Sequence, residues 1–267
     1  MIRIAAVGDV HCGLEAADRI REQFRSVPDH ADVLLLAGDL TRLGTPAEAH
    51  VLADALRDLD GVPIAAVLGN HDHQSDRHEA VGSILAAAGV RILDGEATVW
   101  EIQGTRLGIA GTKGFGGGFE GTHATEFGEP EMKAFVQHTF GLAERLDGAL
   151  AGLEADRTVL LLHYAPIRET LAGEPRELFP FLGSYLFAEI ADRHRVDLVL
   201  HGHAHRGTER GRTPGGIAVR NVAQSVIQQG YAIYTLGAAR ASADGAGMTA
   251  PRRAVAATSE TGPGRDA

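Results

Sequence analysis

Asp32-Val33-Leu34-Leu35-Leu36-Ala37-Gly38-Asp39 and Pro63-Ile64-Ala65-Ala66-Val67-Leu68-Gly69-Asn70-His71-Asp72 decide the fold. Each opens as a short, continuous run of aliphatic residues, the pattern of a strand buried on both faces. Each then stops at glycine and turns polar. Between them lies a marked helix start: Thr45 can cap it, Pro46 suits its first position, and Glu48 completes a capping box. Val51, Leu52, Ala55, Leu56 and Leu59 give that helix one apolar face. Strand, helix, strand in this order implies parallel pairing and the α/β class.

Working outward, Ile2-Arg3-Ile4-Ala5-Ala6-Val7 repeats the strand pattern before Gly8-Asp9-Val10-His11. Further strands are expected over 98–102, 107–110, 158–162, 197–200, 217–220 and 231–236. A long helix is expected to start near Pro130, where Phe135, Thr139, Leu142, Leu146, Leu150 and Leu153 recur at three- and four-residue steps. A glycine-rich stretch, Gly114-Phe115-Gly116-Gly117-Gly118-Phe119, separates the two halves. After about Ala238 the composition shifts to Ala, Gly, Ser, Thr, Pro and charge. The expectation is one domain over 1–238 and a disordered tail over 239–267.

The 267 residues suit one large core, and 44% hydrophobic content is enough to fill it. The formal net charge is -10, and no basic run interrupts it, which argues against an extended nucleic-acid surface or a membrane-surface binder. An anionic substrate still fits if a metal supplies local positive charge. The single cysteine, Cys12, allows no intramolecular disulfide and fits a reducing compartment. No signal-peptide pattern or membrane-spanning run is present, so a soluble, cytoplasmic protein is expected.

In α/β sheets ligands bind beyond the carboxyl ends of the strands. Five apolar runs here end in metal-binding chemistry: Asp9 and His11; Asp39; Asn70, His71 and Asp72; His163; and His201, His203 and His205. Carboxylate, imidazole and amide oxygen without thiolate suit Mn, Fe or Zn. The histidines count against magnesium and calcium, which prefer oxygen-only shells. The candidates are too many for one ion and about enough for two. Two cations about 3.5–4 Å apart can share a carboxylate and clamp a phosphate.

Asp-x-His, Gly-Asp, Gly-Asn-His-Asp, a lone His and Gly-His-x-His, in that order, resemble the signature of the calcineurin-like metallophosphoesterases over about Ile2 to Leu236. The resemblance implies an αββα sandwich of two mixed β-sheets. It implies that Asp9, His11 and His205 hold one metal, that Asn70, His163 and His203 hold a second, and that Asp39 bridges them. His71 would stand by the leaving group as general acid, with Asp72 orienting it. A hydroxide shared by the metals would attack the phosphorus of a small phosphorylated substrate. Gly38-Asp39-Leu40-Thr41 and Gly-Asn-His-Asp72 depart from the Ser/Thr protein phosphatases, which carry Asp-Arg-Gly and Gly-Asn-His-Glu. The chain looks more like the compact bacterial phosphodiesterase branch that includes cyclic-nucleotide enzymes. Alternatives are a monoesterase or pyrophosphohydrolase of the same fold, or a non-catalytic scaffold. The ligand set is complete, which weighs against the scaffold.

Neighbouring residues take plainer readings. His201 is expected in a strand, His73 on the rim, His123 on the surface, and Cys12 in the apolar interior. Gly69 and Gly202 are expected to permit tight turns. The glycine-rich loop is either a mobile flap whose Lys113 meets phosphate or an ordinary flexible connection.

Overall fold

The computed structural model describes residues 1–59 and 61–237; the tail expected over 239–267 lies outside the described residues. In chain order the strands are β1 (Ile2–Val7), β2 (Val33–Ala37), β3 (Ile64–Val67), β4 (Val90–Ile92), β5 (Glu96–Ile102), β6 (Thr105–Thr112), β7 (Gly118–Phe119), β8 (Thr122–His123), β9 (Arg157–Leu162), β10 (Leu198–His201), β11 (Arg210–Arg212), β12 (Ala218–Asn221) and β13 (Ala232–Leu236). The helices are α1 (Ala17–Phe24), α2 (Val27–His30), α3 (Pro46–Arg57), α4 (His78–Ala87), α5 (Pro130–Ala151), α6 (Phe179–Leu182), α7 (Leu186–His194) and α8 (Gln224–Ile227).

The strands form two large sheets, ordered β13-β1-β2-β3-β4 and β11-β12-β10-β9-β6-β5. Both are mixed: β1 to β4 run parallel with β13 antiparallel at the edge, and β12, β10, β9 and β6 run parallel between antiparallel β11 and β5. The alternation of side chains along a strand makes the layers. Ile2, Ile4 and Ala6 of β1, with Val33, Leu35 and Ala37 of β2, face Leu107, Ile109, Val159, Leu161 and Leu200 of the other sheet. The alternate residues Ala5, Val7, Leu34 and Leu36 face Ile20 and Phe24 of α1 and Leu52 and Leu56 of α3. On the far side, Leu160, Leu162 and Val199 face Leu142 and Leu146 of α5 and Phe187 and Ile190 of α7. Helix, sheet, sheet, helix is the αββα sandwich expected.

The capping box at α3 forms as read. The Glu48 backbone N–H donates to Thr45 Oγ1 at 3.3 Å, and Glu48 Oε2 accepts the Thr45 N–H at 3.2 Å. Three features were not anticipated: β4, only three residues long; β11, an Arg-Gly-Arg edge strand without an apolar signal; and the two-residue hairpin β7–β8. No described helix is long and apolar enough to cross a membrane.

Candidate metal centre

Parallel strands aim their carboxyl ends at one place between the two sheets. The loops after them are stitched together by backbone hydrogen bonds, from Asp9 N–H to the Gly38 carbonyl (2.9 Å), His11 N–H to the Asp39 carbonyl (3.0 Å) and Gly202 N–H to the His163 carbonyl (3.1 Å). Asp9, His11, Asp39 and His203 all take left-handed backbone, with φ of 58°, 45°, 49° and 68°. Such conformations cost about 1–3 kcal/mol each away from glycine and collect at functional sites. Four of the eight described non-glycine residues with positive φ fall in this one cluster, so the strain is concentrated here.

The seven expected ligands come together in two groups that meet at Asp39. One donor atom each from Asp9, His11, Asp39 and His205 lies within 4.8 Å of the others, and the same holds for Asp39, His163 and His203. Asn70 joins the second group through Oδ1, 2.9 Å from His163 Nε2.

The donor chemistry fits a cation. A carbonyl only accepts, so the 2.9 Å contact from His163 Nδ1 to the Ala37 carbonyl puts the ring proton on Nδ1. In the neutral ring Nε2 is then a lone pair, facing Asn70 Oδ1 at 2.9 Å and Asp39 Oδ1 at 3.4 Å. Three acceptors converge, two of them on fully buried side chains, which is unfavourable unless a proton or a cation lies between them. Burial, helped by nearby His163, pushes His203 down to about 3, and burial also lowers His11 against the pull of Asp39 and Asp9. Both imidazoles are therefore held neutral, the state a metal ligand needs. His205 differs. Its Nε2 lies 2.8 Å from Asp9 Oδ1, and that hydrogen bond raises it, so a metal here competes with a proton. Burial favours the neutral Asp9 carboxyl, but the contacts from His205, His163 and the His203 N–H outweigh it and leave Asp9 low.

His71 stands beside this cluster without belonging to either group. Its Nδ1 donates to the Arg42 carbonyl at 2.8 Å, which turns Nε2 toward Asp39 Oδ2, 3.9 Å away. Its side chain is 42% exposed, so it is open to an incoming molecule. The expected contact between Asp72 and His71 is not formed. Asp72 is fully buried and accepts from Leu40 N–H (3.1 Å), Gly69 N–H (2.8 Å), Thr41 N–H (2.8 Å) and Thr41 Oγ1–H (2.6 Å). The correction has a simple cause: the backbone carbonyl of Arg42 already takes the proton of His71. Asp72 instead ties the loop after β2 to the loop after β3. Burial raises its carboxyl despite these donors.

Gly69 and Gly202 serve space, and a turn conformation is not their role. Neither has positive φ, but a Cβ on Gly69 would run into the carboxylate and backbone of Asp39, and one on Gly202 into Asp9. His201 is a strand residue with both ring nitrogens used, by the Gly202 carbonyl and Thr170 Oγ1, each at 2.8 Å. Burial and its neighbours set it at about 4. His73 stacks on His78 at 4.1 Å and belongs to neither group. His123 is exposed. Cys12 is buried in the core, and burial lifts its thiol to about 11, so it is an inert apolar residue here. The glycine-rich loop is tied to its neighbours: Gly117 N–H bonds to the Pro180 carbonyl (2.7 Å), Gly118 N–H to the Gly183 carbonyl (2.9 Å), and Tyr185 N–H to the Gly118 carbonyl (3.0 Å).

Fold and site together define a class, and comparison with known proteins agrees. The family model for calcineurin-like phosphoesterases matches residues 2–207, and the chain belongs to that family. It is a metal-dependent family, and the candidate ligand clusters lie inside the matched stretch. Among individual relatives, the chain is similar to a probable cyclic nucleotide phosphodiesterase from Synechococcus sp., 30% identical over 194 residues. That match takes in 68% of this chain and spans 60% of the relative's length. The fold is similar to that of phosphopantetheinyl hydrolase from Mycobacterium tuberculosis, with TM-score 0.62 and 16% identity over 84% of this chain and 90% of that one. It is also similar to an anchor protein of the inner membrane complex of Plasmodium, with TM-score 0.51 and 15% identity over 84% and 72% of the two chains. At such identities the likeness concerns the fold, and the site's own chemistry has to carry the function.

Proposed function

We propose that the protein is a dinuclear metal-dependent phosphodiesterase acting on a small phosphorylated substrate, a cyclic nucleotide or short nucleotide being the model. The observation that carries this reading is Asp39, one buried carboxylate common to two groups of ligand atoms. Asp9, His11 and His205 would complete the first metal site with Asp39; Asn70, His163 and His203 would complete the second. Two divalent ions, of the Mn, Fe or Zn type, neutralise phosphate charge and activate a water when bound.

The residues of the chain do the rest. The Ala37 carbonyl keeps His163 in the tautomer that offers Nε2. The His203 backbone N–H donates to both oxygens of Asp9, at 3.1 and 2.9 Å, and fixes that carboxylate. The Arg42 carbonyl holds His71 by Nδ1, so a proton carried on Nε2 points into the site and can pass to the leaving oxygen. Asp72 acts as a positioning residue for the Asp39 and His71 loops. Diester preference is supported by the sequence departures at Leu40-Thr41 and Asp72 and by the Synechococcus relative.

The test is a panel assayed with Mn-reconstituted protein: bis(p-nitrophenyl) phosphate, p-nitrophenyl phosphate, cyclic AMP, a dinucleotide and pyrophosphate. Faster turnover of diesters than of the monoester is expected. A clear preference for p-nitrophenyl phosphate would overturn the diesterase reading.

A further inference from the structure

The chain carries twenty-three arginines and only two lysines, and one of the two, Lys113, stands beside the metal centre. It is the residue after β6, whose last residue Thr112 pairs with Leu162 at the end of β9. Lys113 and His163 therefore leave adjacent strand ends together. The Lys113 carbonyl accepts the N–H groups of both His163 (3.1 Å) and Tyr164 (3.0 Å), so its backbone is fixed to the second ligand group. The strapped glycine loop holds the other side.

The side chain is half-buried among rings. Nζ lies 5.1 Å from the centre of Phe115 and 5.9 Å from that of Tyr164. The same Tyr164 ring packs on His203 at 4.2 Å. His138 closes the edge of Phe115 at 4.8 Å. Among the described residues Nζ has no hydrogen bond and no carboxylate within ion-pair distance. The nearby Asp94 is engaged by Arg145 and Thr112, each at 3.4 Å. Asp39, whose charge reaches Lys113, belongs to the metal groups.

Among the described residues Lys113 is a half-buried ammonium with no direct ion pair: the charges of Asp94 and Asp39 reach it, but neither carboxylate is in contact, so its donors are open to an incoming anion. Contact with aromatic faces recovers about 0.5–2 kcal/mol and does not replace an ion pair. Elsewhere the chain uses arginine for its ion pairs, so a compact ammonium at this one strand end answers a different need: a point charge for a phosphate oxygen.

We propose that Lys113, with Phe115 and Tyr164, forms a subsite for a second phosphate group of the substrate, next to the phosphate that is cleaved. The substrate class is then a diester whose alcohol carries a further phosphate, and a plain cyclic nucleotide would leave the subsite empty. This rests on the phosphoesterase reading above and narrows it.

The test uses two inhibitors of the Mn-reconstituted full chain, orthophosphate and the non-hydrolysable imidodiphosphate, with binding read by calorimetry. Wild type is expected to bind imidodiphosphate at least tenfold more tightly. Lys113→Gln, with metal content checked, is expected to weaken imidodiphosphate roughly ten- to a hundredfold and orthophosphate far less, the loss of one charge-assisted contact. Equal binding of the two inhibitors by wild type, or equal losses for both in Lys113→Gln, would overturn the subsite and leave the metal centre standing. Wild type that turns over no phosphate ester would instead overturn the phosphoesterase reading.

Discussion

Replacing Asp72 by Asn separates two accounts of the Gly-Asn-His-Asp motif. The four donors on Asp72 divide evenly: Thr41 N–H and Oγ1–H on Oδ1, Leu40 N–H and Gly69 N–H on Oδ2. Asn has one carbonyl oxygen: placed toward Leu40 and Gly69 it lets Thr41 Oγ1 turn and accept from the NH2 group, leaving the buried Thr41 N–H unsatisfied, and placed the other way it leaves both the Leu40 and Gly69 N–H groups unsatisfied. An unsatisfied buried donor costs about 1–3 kcal/mol, and removing a buried charge offsets part of that. With one donor left unsatisfied the net destabilisation is about 1–3 kcal/mol, or roughly 3–10 °C in Tm for a domain of this size. The loop carrying Asp39 loosens as well, so metal affinity should fall with stability. Urea unfolding and metal titration on the same samples read both. If Asp72→Asn unfolds within about 0.5 kcal/mol of wild type and only lowers the rate, Asp72 is not a tie between the loops, and the reasoning from its four donors fails.

Other substitutions probe other parts. His71→Ala should keep its metals and lose about 10²–10⁴-fold in rate on poor leaving groups, with a smaller loss on nitrophenyl esters; equal losses across a leaving-group series would remove His71 from the acid role. Gly69→Ala should weaken metal binding although glycine is no ligand, because its Cβ would displace Asp39; unchanged metal content would show that the loop gives way freely. Thr45→Ala should cost about 1 kcal/mol in urea unfolding through loss of the α3 cap, with no effect on metal content; a change in metal content would show that α3 positions the site.

Much of this was legible in the chain. Ile2–Val7 reads as a strand to the residue, because it is buried on both faces and stops at glycine. The candidate ligands are legible only jointly: one Asp or His after an aliphatic run could be a turn or core residue, but five runs ending this way in order point to one site. What was not legible lies in the backbone and in space. The acceptors that orient His71 and His163 are the carbonyls of Arg42 and Ala37, and carbonyls carry no side-chain signature. Asp72 looked like a partner for its neighbour His71, whereas its bonds span about thirty residues, to Leu40 and Thr41. Gly69 looked like a turn residue, and only the packing against Asp39 shows that it makes room. Nor could the runs say which sheet they join, since buried strands of both sheets share one composition. The tight loop after Lys113 was hidden for a related reason: glycine-rich composition is shared by slack and strapped segments, and the bonds to the Pro180 and Gly183 carbonyls decide it.

The central claim is that Asp39 joins two metal sites. It is tested most directly by elemental analysis of Mn-reconstituted wild type and Asp39→Asn after exhaustive dialysis. The account predicts two ions per chain for wild type and a marked loss for Asp39→Asn, whose neutral amide removes the charge that both cations share. One ion or none in wild type, or unchanged metal content in Asp39→Asn, would contradict it.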